Sequence, residues 1–276
     1  MARRRSFQHD FTLAGVGVRS GLPLVVTGRP APAGSGLRLA RTDHGESWPL
    51  DLSAAWAAPG CSAVGPGAGG VIYIEHLMAA LAARGITDAA FSVDGPEIPL
   101  LDGSALPWVL ALDEAGVVEV PGEEIAPLLV TAPIVVQSGT AWLTALPAAE
   151  ASLTFILEHP HPLVGKQWAT FRPDQDDFAR DLAPARTFTT SEEATWAQDH
   201  GLLRGGSEAN ALVIYPDRYS EEPTLPMACA RHKLLDLIGD LYLLGRPVQG
   251  QIIGYQSGHR LNHELARRLR AAGEPA

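Results

Sequence analysis

Little in this chain of 276 residues points to covalent or electrostatic reinforcement. Two cysteines, Cys61 and Cys229, exclude a disulfide framework and a four-cysteine zinc module. Charged residues make up only 19% of the chain, and bases are fewer than acids, 21 against 31. The net charge of −10 excludes nucleic-acid binding through broad phosphate contacts, which need lysine and arginine, and leaves room only for a local basic pocket. Lysine itself occurs only at Lys166 and Lys233. No apolar run reaches the roughly 18 residues of a transmembrane helix, so no integral membrane segment is expected. Arg3-Arg4-Arg5 is followed by polar Gln8-His9-Asp10, and Arg19 interrupts the next apolar stretch. That pattern lacks the apolar core of an export signal, and the expected compartment is the cytoplasm.

What is present is ample apolar material, 46% of residues, enough for one large domain or two modest ones. The first third reads as β, with strands expected over 11–18, 22–27 and 37–41. A glycine-rich loop spans 65–70, a helix 74–84 is stopped by Gly85, a strand covers 89–93 and a second helix 106–114 ends at Gly116. Residues 118–127, with Pro121, Gly122, Glu123 and Glu124, read as a linker. Beyond it the pattern predicts strands over 128–137, 141–146, 152–157, 211–215 and 250–255. Helices are expected over 173–182, 191–200, 231–244 and 259–271, and Glu274-Pro275-Ala276 reads as a frayed end.

The two halves rhyme. Each carries a helix opening with a charged residue and a histidine, Glu75-His76 and Arg231-His232. Each continues through a glycine-marked stop, a strand and a small-residue turn, Asp102-Gly103-Ser104 and Ser257-Gly258-His259, into a final helix. His76 precedes Gly103 by 27 residues, as His232 precedes His259. The expectation is an α+β fold of two similar domains, 1–120 and 125–276, each a β-sheet packed on helices, rather than a doubly wound sheet.

On the helix beginning near Arg231, at about 100° per residue, His232, Asp236, Asp240 and Lys233 fall at about 0°, 40°, 80° and 100°. The large apolar side chains, Leu234 to Tyr242, occupy the opposite arc. Two aspartates and Gly239 are poor helix formers, so a solvated face does not explain them. Buried carboxylates need partners or a metal. His232 and Asp236, one turn apart, can point at one ion. A catalytic zinc site needs a third ligand and an open position. His76 is the best candidate, with Glu75 beside it as a possible general base or simply a helix-start glutamate. His259, at a strand-to-helix turn, is a candidate catalytic residue or a helix cap. His9, His44 and His200 read as surface residues, His159 or His161 as a candidate cleft residue, and His263 as outward-facing.

These residues, in order, resemble the UDP-3-O-acyl-N-acetylglucosamine deacetylase family over nearly the whole chain. The resemblance rests on Gly15-Val16-Gly17 through Ser20-Gly21, Glu75-His76-Leu77, Val93 through Pro99, Leu101-Asp102-Gly103-Ser104, Ala185-Arg186-Thr187-Phe188, Arg231 through Leu241 and Ser257-Gly258-His259. It implies two similar α+β domains with the active site between them. It implies a zinc amidase, with one Zn2+ per chain, that releases acetate from a UDP-linked acylated amino sugar in lipid A biosynthesis. By matching motifs, His76, His232 and Asp236 would hold the zinc and Glu75 would be general base. His259 would protonate the leaving amine, oriented and charged by Asp240. Thr187 would donate to the oxyanion, Lys233 would assist electrostatically and Phe188 would sit at the acyl-chain passage. No obligate protein partner is implied.

The chain departs from that pattern at Arg19, where the family usually has histidine, at Tyr73, at Met227-Ala228-Cys229-Ala230 and at Thr189-Thr190. These departures keep a second reading open: a zinc deacetylase of the same family acting on a different N-acetyl sugar or specialised metabolite. An iron oxygenase and a catalytically inactive binding protein are more distant alternatives.

Overall fold

A computed structural model of the chain describes residues 2–273; the end expected to fray lies outside them. The first half holds β1 (Arg5–Phe7), β2 (Phe11–Val16), β3 (Pro23–Pro30), β4 (Leu37–Arg41), β5 (Glu46–Pro49), β6 (Ala55–Ala58), β7 (Cys61–Val64) and β8 (Val71–Ile72). It continues through α1 (Glu75–Arg84), β9 (Ala89–Val93), α2 (Leu106–Glu114) and β10 (Val117–Glu119). The second half holds β11 (Leu128–Leu129), β12 (Ile134–Ser138), β13 (Ala141–Leu146), β14 (Ser152–Glu158), β15 (Lys166–Phe171), α3 (Phe178–Asp181), β16 (Phe188–Thr190) and α4 (Ser191–Asp199). It ends with β17 (Leu212–Ile214), α5 (Ala228–Tyr242), β18 (Val248–Gln249), β19 (Gln251–Tyr255) and α6 (His259–Gly273).

The fold is α+β, and the halves share one sheet topology. The first five-stranded sheet runs β2-β3-β9-β4-β5 and the second β12-β13-β19-β14-β15. In each, the strand made last sits in the middle, antiparallel to one neighbour and parallel to the other. Helices pack on the sheets, and the apolar sides of α1, α2, α5 and α6 share one core, including Leu77, Leu81, Trp108, Leu234, Leu237 and Leu265. β6, β7 and β8 form a separate small sheet that lies beside α6.

The structure revises several sequence expectations. The linker begins later than composition suggests: β10 pairs antiparallel with β1, and Ile125 bridges Ala2. The strand expected over 128–137 breaks in two, β11 and β12, on either side of Pro133, which has no N–H for a ladder. The helix expected over 173–182 shrinks to α3, capped by the Asp177 carboxylate, which accepts from the N–H groups of Ala179 and Arg180. The long helix starts one turn earlier than expected, at Ala228. The strands β5 to β8 are not legible in the sequence, being only two to four residues long. α4 matches its expected span; Thr190 and Glu193 close a reciprocal capping box at its start.

Candidate active site

The site lies where α1 of the first half crosses α5 of the second. Tyr73, with φ of 64°, turns the chain sharply into α1, so that Glu75 and His76 open the helix. Left-handed backbone is uncommon for a non-glycine residue and costs energy; here the buried Tyr73 ring anchors it, with the Arg19 guanidinium 5.7 Å above the ring. Gly17 to Ser20 wrap around Glu97, whose carboxylate accepts the N–H groups of Arg19 at 3.0 Å and Ser20 at 2.7 Å.

α1 brings His76, and α5 brings His232 and Asp236, into one buried cluster whose ligand atoms all lie within 4.8 Å of one another. Asp236 Oδ1 is 3.7 Å from His76 Nε2 and 3.5 Å from His232 Nε2. The His232 Nδ1–H donates to the Ala185 carbonyl at 3.1 Å, which leaves the Nε2 lone pair facing the cluster. Burial, reinforced by the neighbouring histidine, holds His76 down at about 3, and burial lowers His232, which favours the neutral ring at both. Asp236 Oδ1 is buried without a hydrogen-bond partner. Two imidazole Nε2 atoms and one carboxylate oxygen thus converge. Such an arrangement is costly alone and is the donor set of a divalent cation. Ligand atoms about 2.0–2.1 Å from a tetrahedral zinc stand about 3.3 Å apart, close to the spacings observed.

The other Asp236 oxygen is held by the Lys233 ammonium at 2.7 Å. Burial opposes ionisation of Asp236, but His232 and Lys233 outweigh it and keep the carboxylate well below its usual range. Lys233 is raised: the Asp236 charge overcomes the cost of its burial.

Two proton-transfer candidates flank this cluster. Glu75 is buried, 3% exposed, and its carboxylate accepts the Ser62 N–H at 2.9 Å. Burial pushes it up to about 7, against the pull of His259. His259 opens α6, and its Nδ1–H donates to Asp240 Oδ2 at 2.8 Å, with Nε2 4.0 Å from Asp236. Burial disfavours its cation, yet the charge and hydrogen bond of Asp240 raise it to about 9. Asp240 is fully buried; burial would raise it, but His259 holds it ionised, and Asn262 donates to the same oxygen at 2.8 Å.

The 185–188 segment borders the cluster. Arg186 clamps it, donating to the carbonyls of Asp102 at 2.5 Å and Glu208 at 2.7 Å and pairing with Glu221. The Thr187 N–H donates to the Gly103 carbonyl at 2.7 Å. Gly103 has φ of 88° and so little room that a Cβ there would lie 2.4 Å from the Asn210 carbonyl oxygen. Thr187 and Phe188 line a cavity of about 320 Å³ together with Tyr73, Leu100, Leu203 and Val213. The Phe188 ring stands edge-on between His232, at 6.2 Å, and His159, at 6.3 Å.

The nine residues singled out in the sequence therefore occupy one neighbourhood. One expectation fails: His263 does not face outward. It is fully buried, with Nε2 2.8 Å from Ser62 Oγ and 3.6 Å from Asp240. The signal was available, since His263 lies one helical turn after His259 and so shares its face. Ser62 and the Ala185 carbonyl were missed. Ser62 lies on a short strand with no pattern to mark it, and a backbone carbonyl leaves no trace in side-chain chemistry.

Fold and donor set together define a candidate metal-dependent hydrolase. The model of the UDP-3-O-acyl N-acetylglycosamine deacetylase family matches residues 4–271, and the chain belongs to that family. It is similar to proteins named UDP-3-O-acyl-N-acetylglucosamine deacetylase from several bacteria. The Synechocystis protein is 37% identical over 94% of this chain and 95% of its own length. That of Nostoc is 38% identical over 93% of this chain and 94% of its own. That of Leptospira biflexa is 36% identical over 96% and 88%. Among the described residues, no helix is long and apolar enough to cross a membrane.

Proposed function

We propose that this protein hydrolyses the N-acetyl amide of UDP-3-O-acyl-N-acetylglucosamine, releasing acetate, as a cytoplasmic zinc enzyme of lipid A biosynthesis. The observation that carries this reading is the convergence of His76, His232 and Asp236 between Glu75 and His259, in a chain of this family. The active site then lies between domains of residues 1–120 and 125–276, each built on one of the two sheets.

His76 Nε2, His232 Nε2 and Asp236 Oδ1 would hold the zinc, which when bound supplies Lewis acidity toward water and the amide carbonyl. The chain's own residues carry the proton work. Glu75, with a pKa near neutrality, accepts the proton of the attacking water. Thr187 donates to the oxyanion that develops on the carbonyl oxygen. His259, a cation up to about pH 9, gives a proton to the departing nitrogen through Nε2 while Asp240 holds its Nδ1–H. Lys233 fixes the second oxygen of Asp236 and adds positive charge beside the developing anion. Phe188 guides the acyl chain into the cavity of about 320 Å³, along the apolar side formed by Val18, Leu100, Leu203 and Val213.

The test compares acetate release by zinc-loaded protein from UDP-3-O-acyl-N-acetylglucosamine and from UDP-N-acetylglucosamine. Turnover that depends on the 3-O-acyl chain is expected. Equal turnover of both would overturn the substrate assignment in favour of a deacetylase acting on another N-acetyl sugar, the alternative that Arg19 raises.

A further inference from the structure

Ser62 touches both proton-transfer groups at once. Its backbone N–H donates to Glu75 Oε2 at 2.9 Å. Its hydroxyl is hydrogen-bonded to Asp240 Oδ1 and lies 3.4 Å from His259 Nδ1. Asp240 is ionised and can only accept, so the Ser62 hydroxyl donates to it. The Nδ1–H of His259 goes to the other Asp240 oxygen, so the Ser62 oxygen accepts from its nearer neighbour, His263 Nε2, at 2.8 Å. That fixes the tautomer of His263: the proton is on Nε2, and Nδ1, buried with no partner, carries the lone pair. The chain of donors therefore runs His263 to Ser62 to Asp240, with His259 and Asn262 donating to the other Asp240 oxygen. Every one of these side chains is buried, so no solvent competes for the bonds.

The geometry points to Ser62, backed by His263, as a positioning residue that sets the base and the acid in one frame. Its main chain orients Glu75, and its side chain orients Asp240 and through it His259. A carboxylate held at both oxygens cannot rotate, so His259 keeps Nδ1–H on Asp240 and Nε2 toward the amide nitrogen. Ser62 belongs to β7 of the first half, whereas Asp240, His259 and His263 belong to α5 and α6 of the second. The contact thereby registers the two halves as well as the two proton-transfer groups. This inference rests on the reading of Glu75 and His259 as base and acid.

The wild-type protein gives a test that needs no turnover. Long-range proton–nitrogen NMR spectra should show His263 protonated at Nε2 and His259 protonated at Nδ1; a His263 protonated at Nδ1 would overturn the inference. Kinetics of zinc-loaded Ser62→Ala, His263→Leu and His263→Gln give the second test, with zinc content and melting temperature recorded for each. Ser62→Ala and His263→Leu should lower kcat roughly ten- to hundredfold, the usual cost of removing an outer partner, with KM and zinc content held. Glutamine places an amide donor near the position of Nε2, so His263→Gln should recover most of the loss. Unchanged kcat in folded, zinc-containing Ser62→Ala would contradict the inference, as would glutamine performing no better than leucine. An inactive wild type would instead overturn the functional reading and leave the NMR result to decide the hydrogen-bond chain.

Discussion

Gly239 of α5 lies against the backbone of Glu75 on α1: a Cβ at position 239 would stand 2.2 Å from the Glu75 carbonyl oxygen and 3.1 Å from the Ala79 amide nitrogen. Only a residue without a side chain lets the two helices cross this closely. The crossing is what brings His76 within reach of His232 and Asp236. Gly239→Ala is therefore expected to be costly even though alanine is the better helix former. The atoms in the way are backbone, which cannot swing aside, so the loss should reach or exceed the roughly 1–3 kcal/mol of an overpacked core. Denaturant unfolding measures it, and weakened zinc binding in the folded fraction should accompany it as the helices are forced apart.

Asp236 is the one carboxylate that both imidazoles and a lysine share. Asp236→Ala should lower zinc affinity by more than about a hundredfold, beyond what losing an outer partner costs. It also leaves Lys233 without its counter-ion. Competition with a chelating dye reads the first effect, and a lowered melting temperature of the metal-free protein reads the second. Wild-type zinc affinity in this variant would remove Asp236 from the ligand set.

The pH dependence follows from the two buried proton-transfer groups. Glu75 must be ionised to accept a proton, and burial lifts it to about 7, so kcat should rise through neutrality. His259 must be protonated to donate, and Asp240 keeps it so, against the cost of burial, up to about 9. The profile should be a bell with its plateau between these limbs. Glu75→Ala and His259→Ala should each retain zinc and lose most turnover. Residual activity in Glu75→Ala should lack the acidic limb, and that in His259→Ala the alkaline one. Full turnover in either variant at saturating substrate would contradict its role.

Much of this was legible in the sequence because it follows from local periodicity. The stripe on α5 could be drawn from its spacing, and the fold buries His232, Asp236 and Asp240 together with the apolar arc opposite them. The repeated order of helix, strand and turn anticipated two sheets of one topology. What periodicity could not supply was contact between distant segments. Gly239 looked anomalous as a helix residue and becomes intelligible only beside Glu75. Ser62 looked ordinary until the fold set it between residues 13 and 178 positions away. His263 is a different case: the helix phase alone places it beside His259, so its burial is legible without any long-range contact. The lost linker residues have the same origin as Ser62, since β10 becomes a strand only through its pairing with β1.

The most direct measurement is acetate release during titration of metal-free protein with zinc, using UDP-3-O-acyl-N-acetylglucosamine at saturation. The expected result is no release without metal, a rise that stops at one equivalent per chain, and loss on adding a chelator. Release by the metal-free protein, or none at one bound equivalent, would contradict the proposal that His76, His232 and Asp236 form the metal centre of this deacetylase.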